Sequence, residues 1–218
     1  KPKSLSTKES MIIGTAGFTA LLCAFAVNAR EEILLGEKVN DVLVTGATGG
    51  VGTIAVMALS KLGYNVTAVT GKVEHAELLK KLGAKNVVNR SEFEGETKLL
   101  GKAMWDGVVD TVGGNVLAHA ISQTKHSGIV AACGNAGGIK LNTNVMPFIL
   151  RGVKLWGIDS IQVSMKRREF IWSQVERLVD FKVLEEIVQI ISMEELMNAF
   201  PKMLKGQTSG RTLIDVNK

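Results

Sequence analysis

Short apolar runs alternate along this chain with stretches whose apolar residues recur at helical spacing. The runs predicted as strands cover residues 42–44, 65–69, 87–88, 105–114 (ending in a turn), 128–133 and 153–158. Between them, helices are predicted over residues 11–27, 51–62, 76–82 and 117–124. This alternation is typical of a doubly wound parallel sheet. The predicted fold is therefore α/β, a Rossmann-type doubly wound parallel six-stranded sheet with flanking helices.

The C-terminal part of the chain departs from this alternation. Lys166–Val179 reads as a charged helix and Met193–Leu204 as a second helix. Arg211–Val216 reads as a terminal strand. That strand has no obvious neighbour in the predicted sheet.

The first predicted helix is apolar enough to raise the question of a membrane. Ser6 and Glu9 fit a capping box at its start, and the turn at Gly36–Asp41 follows its expected end near Asn28–Glu32. The run Met11–Val27 touches the lower length limit of about 17 residues for a membrane span. Glycines and threonines interrupt it, and no cleavable-signal pattern precedes it. A buried helix is the better interpretation, and no membrane partner is expected.

The stretch Val42–Gly52 joins an apolar strand, a glycine turn and the start of a helix. A strand that feeds a helix through closely spaced glycines brings the backbone near a pyrophosphate, which helix N-terminal N–H groups can hold. The spacing G-x-x-G-x-x-G differs from the standard G-x-G-x-x-G. The predicted pyrophosphate residues are Gly46, Gly49, Gly50, Val51 and Gly52.

The end of the second strand predicts which dinucleotide binds. In such sheets an acidic residue there usually holds the ribose 2′-hydroxyl. Here the position is occupied by Thr70, Gly71 and Lys72, and Glu74 is the first carboxylate. A hydroxyl and an ammonium suit a 2′-phosphate, so NADPH is predicted over NADH. The open alternative is that Lys72 is a solvated lysine at a helix start.

A short-chain dehydrogenase is the other reading of the glycine turn. Those enzymes need a tyrosine followed four residues later by a lysine on the same helix. The sole tyrosine, Tyr64, is followed at that place by Ala68 and precedes the second strand. The short-chain reading therefore fails.

Composition and charge exclude several other classes. The net charge of +5 is spread along the chain without interleaved aromatic residues, which argues against a nucleic-acid partner. Cys23 and Cys133 are far apart in sequence and form no Cys/His cluster, so neither a disulfide framework nor a metal site is predicted, and a cytoplasmic location is expected. His75, His119 and His126 fall on or beside peripheral helices, away from the strand ends that form such sites.

Several segments together resemble one known family. They are residues 11–20, 44–52, 70–72, 110–113, 132–134, 145–153, 157–160 and 210–213. In this order they resemble the medium-chain dehydrogenase/reductase superfamily, in its zinc-independent quinone-oxidoreductase branch, and most closely the acrylyl-CoA reductase and quinone oxidoreductase group. That group usually has Ser-Gly-Arg where this chain has Thr70–Lys72. The replacement keeps a hydroxyl and a positive charge but not the guanidinium fork.

The resemblance implies a division of the chain. Residues 1–10 correspond to a remnant or linker from a catalytic domain, residues 11–160 to an NADP-binding Rossmann core, residues 161–205 to the helical part of the cofactor region, and residues 206–218 to a return strand of the catalytic domain. Members of the family begin with a GroES-like catalytic domain to which nothing here corresponds. The flanks are therefore expected to belong to a truncated GroES-like domain.

The resemblance also implies further cofactor contacts. Thr15 would lie near the nicotinamide or its phosphates, and Arg211 would contact a phosphate. The nicotinamide side would be lined by Val112, Gly113, Cys133, Gly134 and Asn135, and closed by residues 158–160, including Asp159 and Ser160. Alternatively, Thr15 bonds a helix carbonyl, Asn135 shapes a turn and Arg211 is a surface charge.

The implied reaction is NADPH-dependent reduction of an α,β-unsaturated carbonyl, either an enone, a quinone or an acrylyl-CoA-like thioester. Hydride would reach the β-carbon and a proton the α-carbon, with no metal and no proton donor identified. A homodimer through the edge strand 153–158 is implied as well. Two alternatives stay open: an NADPH-binding module without turnover, and a nucleotide-sugar or other Rossmann-type enzyme.

Overall fold

The computed structural model describes residues 2–29 and 40–217, and its centre is a parallel sheet. The predicted turn at Gly36–Asp41 lies largely outside the described residues. The strands of the sheet are β1 (Asp41–Thr45), β2 (Asn65–Thr70), β3 (Ala84–Asn89), β4 (Trp105–Asp110), β5 (Thr124–Ala132) and β6 (Lys154–Gly157). Their order is β3-β2-β1-β4-β5-β6, and every pair is parallel. The predicted doubly wound six-stranded sheet is confirmed.

Helices connect these strands and follow the last of them. They are α1 (Thr7–Val27), α2 (Gly50–Lys61), α3 (Ala76–Lys81), α4 (Gly114–Ser122), α5 (Met146–Arg151), α6 (Met165–Ser173), α7 (Val175–Leu178), α8 (Phe181–Glu185) and α9 (Leu196–Leu204). Short 3-10 turns cover Val73–His75 and Arg90–Phe93. The single helix predicted over Lys166–Val179 is wrong, because α6 and α7 are separate helices.

The terminal strand β8 (Arg211–Asp215) does have a partner, but outside the main sheet. It pairs in parallel with β7 (Val188–Ser192), a strand that the sequence analysis did not predict. The two form a separate two-stranded sheet. The expectation that β8 lies outside the predicted sheet is therefore confirmed.

Helix α1 is a core helix with a kink near its start. Ser6 and Glu9 form the predicted capping box: the Ser6 N–H donates to Glu9 Oε2 at 2.7 Å, and the Glu9 N–H donates to Ser6 Oγ at 3.1 Å. The helix is long and apolar enough to cross a membrane, but 67% of its most apolar window is buried in the fold. It packs with α2 in one core cluster that includes Ile13, Leu21 and Ile54. The prediction of a buried helix is confirmed.

The two clusters of buried side chains involve different helices. The cluster with α1 and α2 also receives side chains from α6, α7 and α8. The second cluster includes side chains of β1, of β4 (Trp105 among them) and of α4, together with Phe93 and Val153. Because parallel strands all end at one edge of a sheet, this packing brings the loops after β1, β2, β4, β5 and β6 to a common edge.

Candidate cofactor-binding site

The glycine turn after β1 combines a tight turn with close packing of strand and helix. Gly46 has a φ of +59°, and its carbonyl accepts the N–H of Gly49 at 2.9 Å. A Cβ on Gly52 would lie 2.6 Å from Ala47 Cα, so a side chain there would push α2 away from the turn. The glycines are therefore required by the geometry that presents the α2 N-terminus at the sheet edge.

The guanidinium of Arg211 lies against this N-terminus. Its Nε donates to the carbonyl of Ile12 at 2.8 Å. A Cβ on Gly50 would lie 2.8 Å from Arg211 Nη1, and a Cβ on Gly14 would lie 2.9 Å from Nη2. Gly14 has a φ of +48° at the kink of α1, which lets the guanidinium approach both helices. Burial lowers the pKa of Arg211, but a guanidinium stays charged at neutral pH.

A cleft of about 1000 Å³ opens beside this guanidinium. Several predicted site residues that are distant in sequence line it, namely Thr15, Val51, Cys133, Ser160 and Arg211. Phe18, Ile158, Arg168 and Trp172 complete much of the wall. The cleft therefore brings together one end of α1, the α2 N-terminus and the loops after β5 and β6.

A second cavity of about 520 Å³ continues along the loops after β5 and β6. Its lining residues are Ala132, Cys133, Gly134, Asn135, Gly157, Ile158 and Asp159. Cys133 and Ile158 line both cavities. Asn135 also closes a turn, because its carbonyl accepts the N–H of Gly138 at 3.0 Å. Asn135 thus has a turn-forming role and also faces this cavity.

The walls of these cavities rest on a buried network around Asp110. Thr45 Oγ1 donates to Asp110 Oδ1 at 2.6 Å, and the N–H of Gly113 donates to Oδ2 at 2.8 Å. Burial raises the pKa of Asp110, although both hydrogen bonds act in the opposite direction. Val112 is itself buried, and its carbonyl accepts the N–H of Gly137 at 2.7 Å. Val112 and Gly113 therefore shape the loop from Gly134 to Gly138.

The loop after β6 is fixed by hydrogen bonds from both sides. Asp159 Oδ1 accepts the backbone N–H of Ile161 at 2.6 Å. Arg168 Nη2 donates to the carbonyl of Ser160 at 3.3 Å, and the same guanidinium lies 4.6 Å from the ring centroid of Phe18. Asp159 thus stabilises the turn, and Arg168 ties the loop to α1. The sequence analysis did not single out Arg168.

The end of β2 meets the segment before β8. Lys72 Nζ donates to the carbonyl of Thr208 at 2.6 Å and to Ser209 Oγ at 3.2 Å. Thr70 is buried, shares a hydrogen bond of 3.0 Å with Thr48 and accepts the N–H of Lys72 at 3.0 Å. Thr70 therefore positions the lysine from within the protein.

The sequence analysis missed one further basic residue at this edge, Arg90, and misplaced a histidine. The guanidinium carbon of Arg90 lies 3.5 Å from the position a Cβ would take on Gly71. His75 Nε2 lies 3.3 Å from Ser209 Oγ, so the expectation that all three histidines lie away from the strand ends is wrong for His75. Arg90 directly follows β3, the parallel neighbour of β2. A longer β3 prediction, reaching Asn89, would have indicated it.

Within residues 2–29 and 40–217, no group of three or more His, Cys, Asp or Glu side chains is placed to hold a metal ion.

The sequence has clear relatives among known proteins. Residues 50–178 match the family described as "Zinc-binding dehydrogenase". The chain belongs to the medium-chain dehydrogenase/reductase family. Helix α2 from Gly50, Asp110 and the loops after β5 and β6 fall inside the matched range.

Individual relatives match over nearly the whole chain. It is 43% identical to acrylyl-CoA reductase AcuI of Ruegeria pomeroyi, over 99% of this chain and 65% of the relative. It is also 43% identical to YhfP of Bacillus subtilis, named provisionally as a quinone oxidoreductase, over 98% of this chain and 64% of that protein. The chain thus spans slightly less than two thirds of the length of these curated relatives.

Solved structures give the same picture of the fold. The Escherichia coli K-12 protein YhdH with bound NADPH superimposes with a TM-score of 0.91 at 44% identity, covering 100% of this chain and 66% of that one. The B. subtilis protein YhfP with bound NAD gives a TM-score of 0.89 at 42% identity, covering 99% and 65%. Both neighbours therefore bind a nicotinamide dinucleotide in a fold like this one.

Proposed function

We propose that this chain is the cofactor-binding portion of an NADPH-dependent oxidoreductase that reduces an activated alkene. The observation that carries the proposal is the position of Arg211, whose guanidinium lies against Gly14 and against Gly50 at the N-terminus of α2. A guanidinium and a helix N-terminus together suit a pyrophosphate. The cavities beside them have room for the nicotinamide end of a dinucleotide.

The preference for NADPH rests on the other end of the site. Lys72 and Arg90 bring two positive charges to the ends of β2 and β3, around the backbone of Gly71. A 2′-phosphate would receive charge-assisted hydrogen bonds from both, whereas a 2′-hydroxyl needs neither. Thr70, which is held inside the protein, would keep the lysine in place. The NADPH bound by the E. coli neighbour supports this preference, and the NAD bound by YhfP makes it worth testing.

The substrate class is proposed from the relatives. When bound, NADPH supplies a hydride that would be delivered to the β-carbon of an α,β-unsaturated thioester or of a quinone. The residues of this chain would contribute orientation: Thr15, Val51 and Cys133 form the wall of the 1000 Å³ cleft, and Arg168 fixes the loop carrying Ser160. We assign no proton donor to a residue of this chain.

A second candidate is an NADPH-binding module without turnover. It would need only the cofactor contacts of Lys72, Arg90 and Arg211, and no proton donor is assigned among the described residues. In this proposal residues 1–10 and 206–218 belong with a catalytic domain, and residues 11–160 form the cofactor-binding core. The two candidates share the cofactor site and differ only in catalysis.

Calorimetric titration of the 218-residue chain with NADPH and with NADH tests the shared part of the proposal. We expect NADPH to bind at least about tenfold more tightly, as a charge-assisted contact predicts. Equal affinities, or tighter NADH, would refute the NADPH preference. Loss of absorbance at 340 nm with acrylyl-CoA or a benzoquinone would then support the reductase, and binding without turnover would support the module.

The edge strand β6 supports a proposed homodimer. All four of its residues are exposed, including Leu155 and Trp156, and Ile149 and Leu150 on the preceding helix are exposed as well. An unpaired apolar edge is a template for pairing with another strand. A two-fold axis would place two copies of β6 side by side and would extend the sheet across both protomers. We further propose a cytoplasmic location.

A further inference from the structure

The segment that leads into β8 brings a hydroxyl group to the basic residues at the end of β2. Ser209 Oγ lies 3.2 Å from Lys72 Nζ and 3.3 Å from His75 Nε2. All three residues are half-buried, so each keeps part of its surface open to solvent. The sequence analysis named Lys72 as a cofactor residue but did not consider Ser209, which is 137 positions away along the chain.

The hydrogen bonds of Lys72 and Ser209 leave donors available for an anion. The Lys72 ammonium has three N–H donors, and two hydrogen bonds go to the carbonyl of Thr208 and to Ser209 Oγ. Both acceptors are neutral, and within residues 2–29 and 40–217 no carboxylate pairs with Lys72. A hydroxyl that accepts from an ammonium keeps its own hydrogen for another acceptor. The pair can therefore offer one N–H and one O–H to a negatively charged group.

The backbone on the C-terminal side of Ser209 is fixed to the rest of the protein. The Gly210 N–H donates to the carbonyl of Thr48, in the glycine turn after β1, at 2.9 Å, and the Arg211 N–H donates to the carbonyl of Ile187 at 3.0 Å. Gly210 has a φ of +65°, and a Cβ there would meet the Ile187 carbonyl, so the turn requires glycine. Ser209 is therefore held in place by the protein, which reduces the entropic cost of binding a ligand there.

We propose that Ser209 is a specificity-determining residue of the 2′-phosphate site, where its O–H donates to a phosphate oxygen beside Lys72. His75 is a positioning residue: its ring N–H donates to Ser209 Oγ and so directs the serine hydrogen away from the ring. The ligand class is a nucleotide with a phosphate on the 2′-oxygen of its ribose, and the inference rests on the proposed function. NADH has a hydroxyl at that place and would gain nothing from this contact.

The test measures the Kd of NADPH and of NADH for the 218-residue chain by isothermal titration calorimetry. Ser209→Ala is expected to raise the Kd of NADPH about tenfold and to leave that of NADH unchanged, since a hydrogen bond to a charged group is lost. Ser209→Thr keeps the hydroxyl and should retain most of the affinity. Thr208→Ala is the matched control, because Thr208 contacts Lys72 through its backbone carbonyl. Circular dichroism checks that the variants are folded.

A charge at the same position gives a sharper test. Ser209→Asp would place a carboxylate against the Lys72 ammonium and beside the phosphate. Because the two negative charges repel each other, the Kd of NADPH is expected to rise at least about a hundredfold. The Kd of NADH should change little, so this variant should prefer NADH.

The role of His75 is tested with a double-mutant cycle. His75→Leu removes the ring donor and is expected to raise the Kd of NADPH about threefold, whereas His75→Gln keeps an N–H donor and should recover most of that loss. In the Ser209→Ala background His75→Leu should have no further effect. Independent, additive effects would contradict the positioning role of His75.

Two results would overturn the assignment of Ser209: an unchanged NADPH affinity in Ser209→Ala, or an equal loss of affinity for NADPH and NADH. A loss of the same size in Thr208→Ala would also contradict it. If NADPH affinity falls in Lys72→Met but not in Ser209→Ala or Ser209→Asp, the Ser209 inference fails and the proposed function stands. If the unchanged protein binds NADH as tightly as NADPH, the proposed NADPH preference is refuted, and this inference with it.

Discussion

The ammonium group of Lys72 lies 2.6 Å from the carbonyl oxygen of Thr208, a residue from the segment that leads into β8. This contact joins the end of β2 to a part of the chain 136 residues away. It fixes the lysine at the sheet edge through a contact within the protein itself. The proposed 2′-phosphate site is therefore preorganised by a long-range contact.

Replacing Lys72 by methionine is expected to weaken NADPH binding and leave NADH binding nearly unchanged. The lost charge-assisted contact corresponds to about a tenfold or greater rise in Kd. Arg90→Met should act in the same direction, and Lys72→Arg should keep most of the affinity. Isothermal titration calorimetry with both cofactors measures the effect.

The matched control is Lys102→Met, which removes the same charge from an exposed position just before β4, at the opposite edge of the sheet. An equal loss of NADPH affinity in this control would mean that overall charge is responsible. Parallel losses for NADPH and NADH in Lys72→Met would argue against a 2′-phosphate contact.

Replacing Arg211 by alanine is expected to weaken the binding of NADPH and of NADH equally, because both cofactors carry the pyrophosphate. About a tenfold rise in each Kd follows from one lost charge-assisted contact. The hydrogen bond to Ile12 is lost as well, so the free energy of unfolding should fall by about 1 kcal/mol. Calorimetry and urea unfolding measure the two effects, with the exposed Arg177→Ala as control. A selective loss of NADPH alone would place Arg211 at the wrong end of the cofactor.

Replacing Gly52 by alanine is expected to reduce both stability and cofactor affinity. The new Cβ would lie 2.6 Å from Ala47 Cα, which forces α2 away from the glycine turn. Overpacking of this kind costs about 1–3 kcal/mol in the free energy of unfolding. Gly157→Ala is the control, since its Cβ would meet open space. Urea unfolding should give a lower free energy of unfolding for Gly52→Ala than for Gly157→Ala. Equal values would contradict the close approach of Gly52 to Ala47.

Ionisation of Asp106 is expected to make the free energy of unfolding depend on pH. Burial acts to raise its pKa, but hydrogen bonds from the Asp41 N–H, from Lys125 and from the Asn40 N–H outweigh burial, and the pKa is lowered. The folded carboxyl therefore holds its proton less tightly than the unfolded one. Its contribution is present above the ordinary value of 3.8 and is lost as the pH falls through the folded value.

Asp106→Asn should accordingly lower the free energy of unfolding at neutral pH by about 1–3 kcal/mol. The difference from the unchanged protein should shrink as the pH falls below 3.8 and the carboxyl becomes protonated. Urea unfolding at neutral pH and in acid measures it, with the exposed Glu176→Gln as control. A difference that persists undiminished in acid would show that the carboxylate charge is not its cause.

The edge strand β6 should control the oligomeric state. Trp156→Lys places a charge on the exposed apolar edge and is expected to convert a dimer into a monomer of 23.4 kDa. Size-exclusion chromatography with light scattering gives the mass. Met197→Lys, on the exposed face of α9, is the control and should leave the dimer intact. If the unchanged protein has the mass of a monomer in solution, the dimer proposal is refuted.

Much of the fold follows from local features of the sequence. Apolar runs and helical periodicity depend on near neighbours, so they predicted the six parallel strands and the buried helix α1. The capping box at Ser6 and Glu9 is also local, and the structure confirms it. The glycine turn was predictable because its conformation and its close packing both require glycine.

Features set by contacts between distant segments were not predictable in this way. The parallel pairing of β7 with β8 was missed because the apolar residues of β7 carry no clear period and the pairing joins two separate segments of the chain. Arg90 was missed because β3 was predicted too short, so the position of Arg90 directly after β3, beside the end of β2, was not apparent.

The sequence by itself determined the sheet, the glycine turn and the basic character of the β2 end, since each depends on residues close together along the chain. Only the tertiary structure decided that Arg211 meets Gly14 and Gly50, and that Lys72 meets Thr208. Those contacts join segments brought together by the packing of α1 on the sheet and of β8 on α1. No local pattern encodes such distances, because they arise from the sum of many long-range contacts.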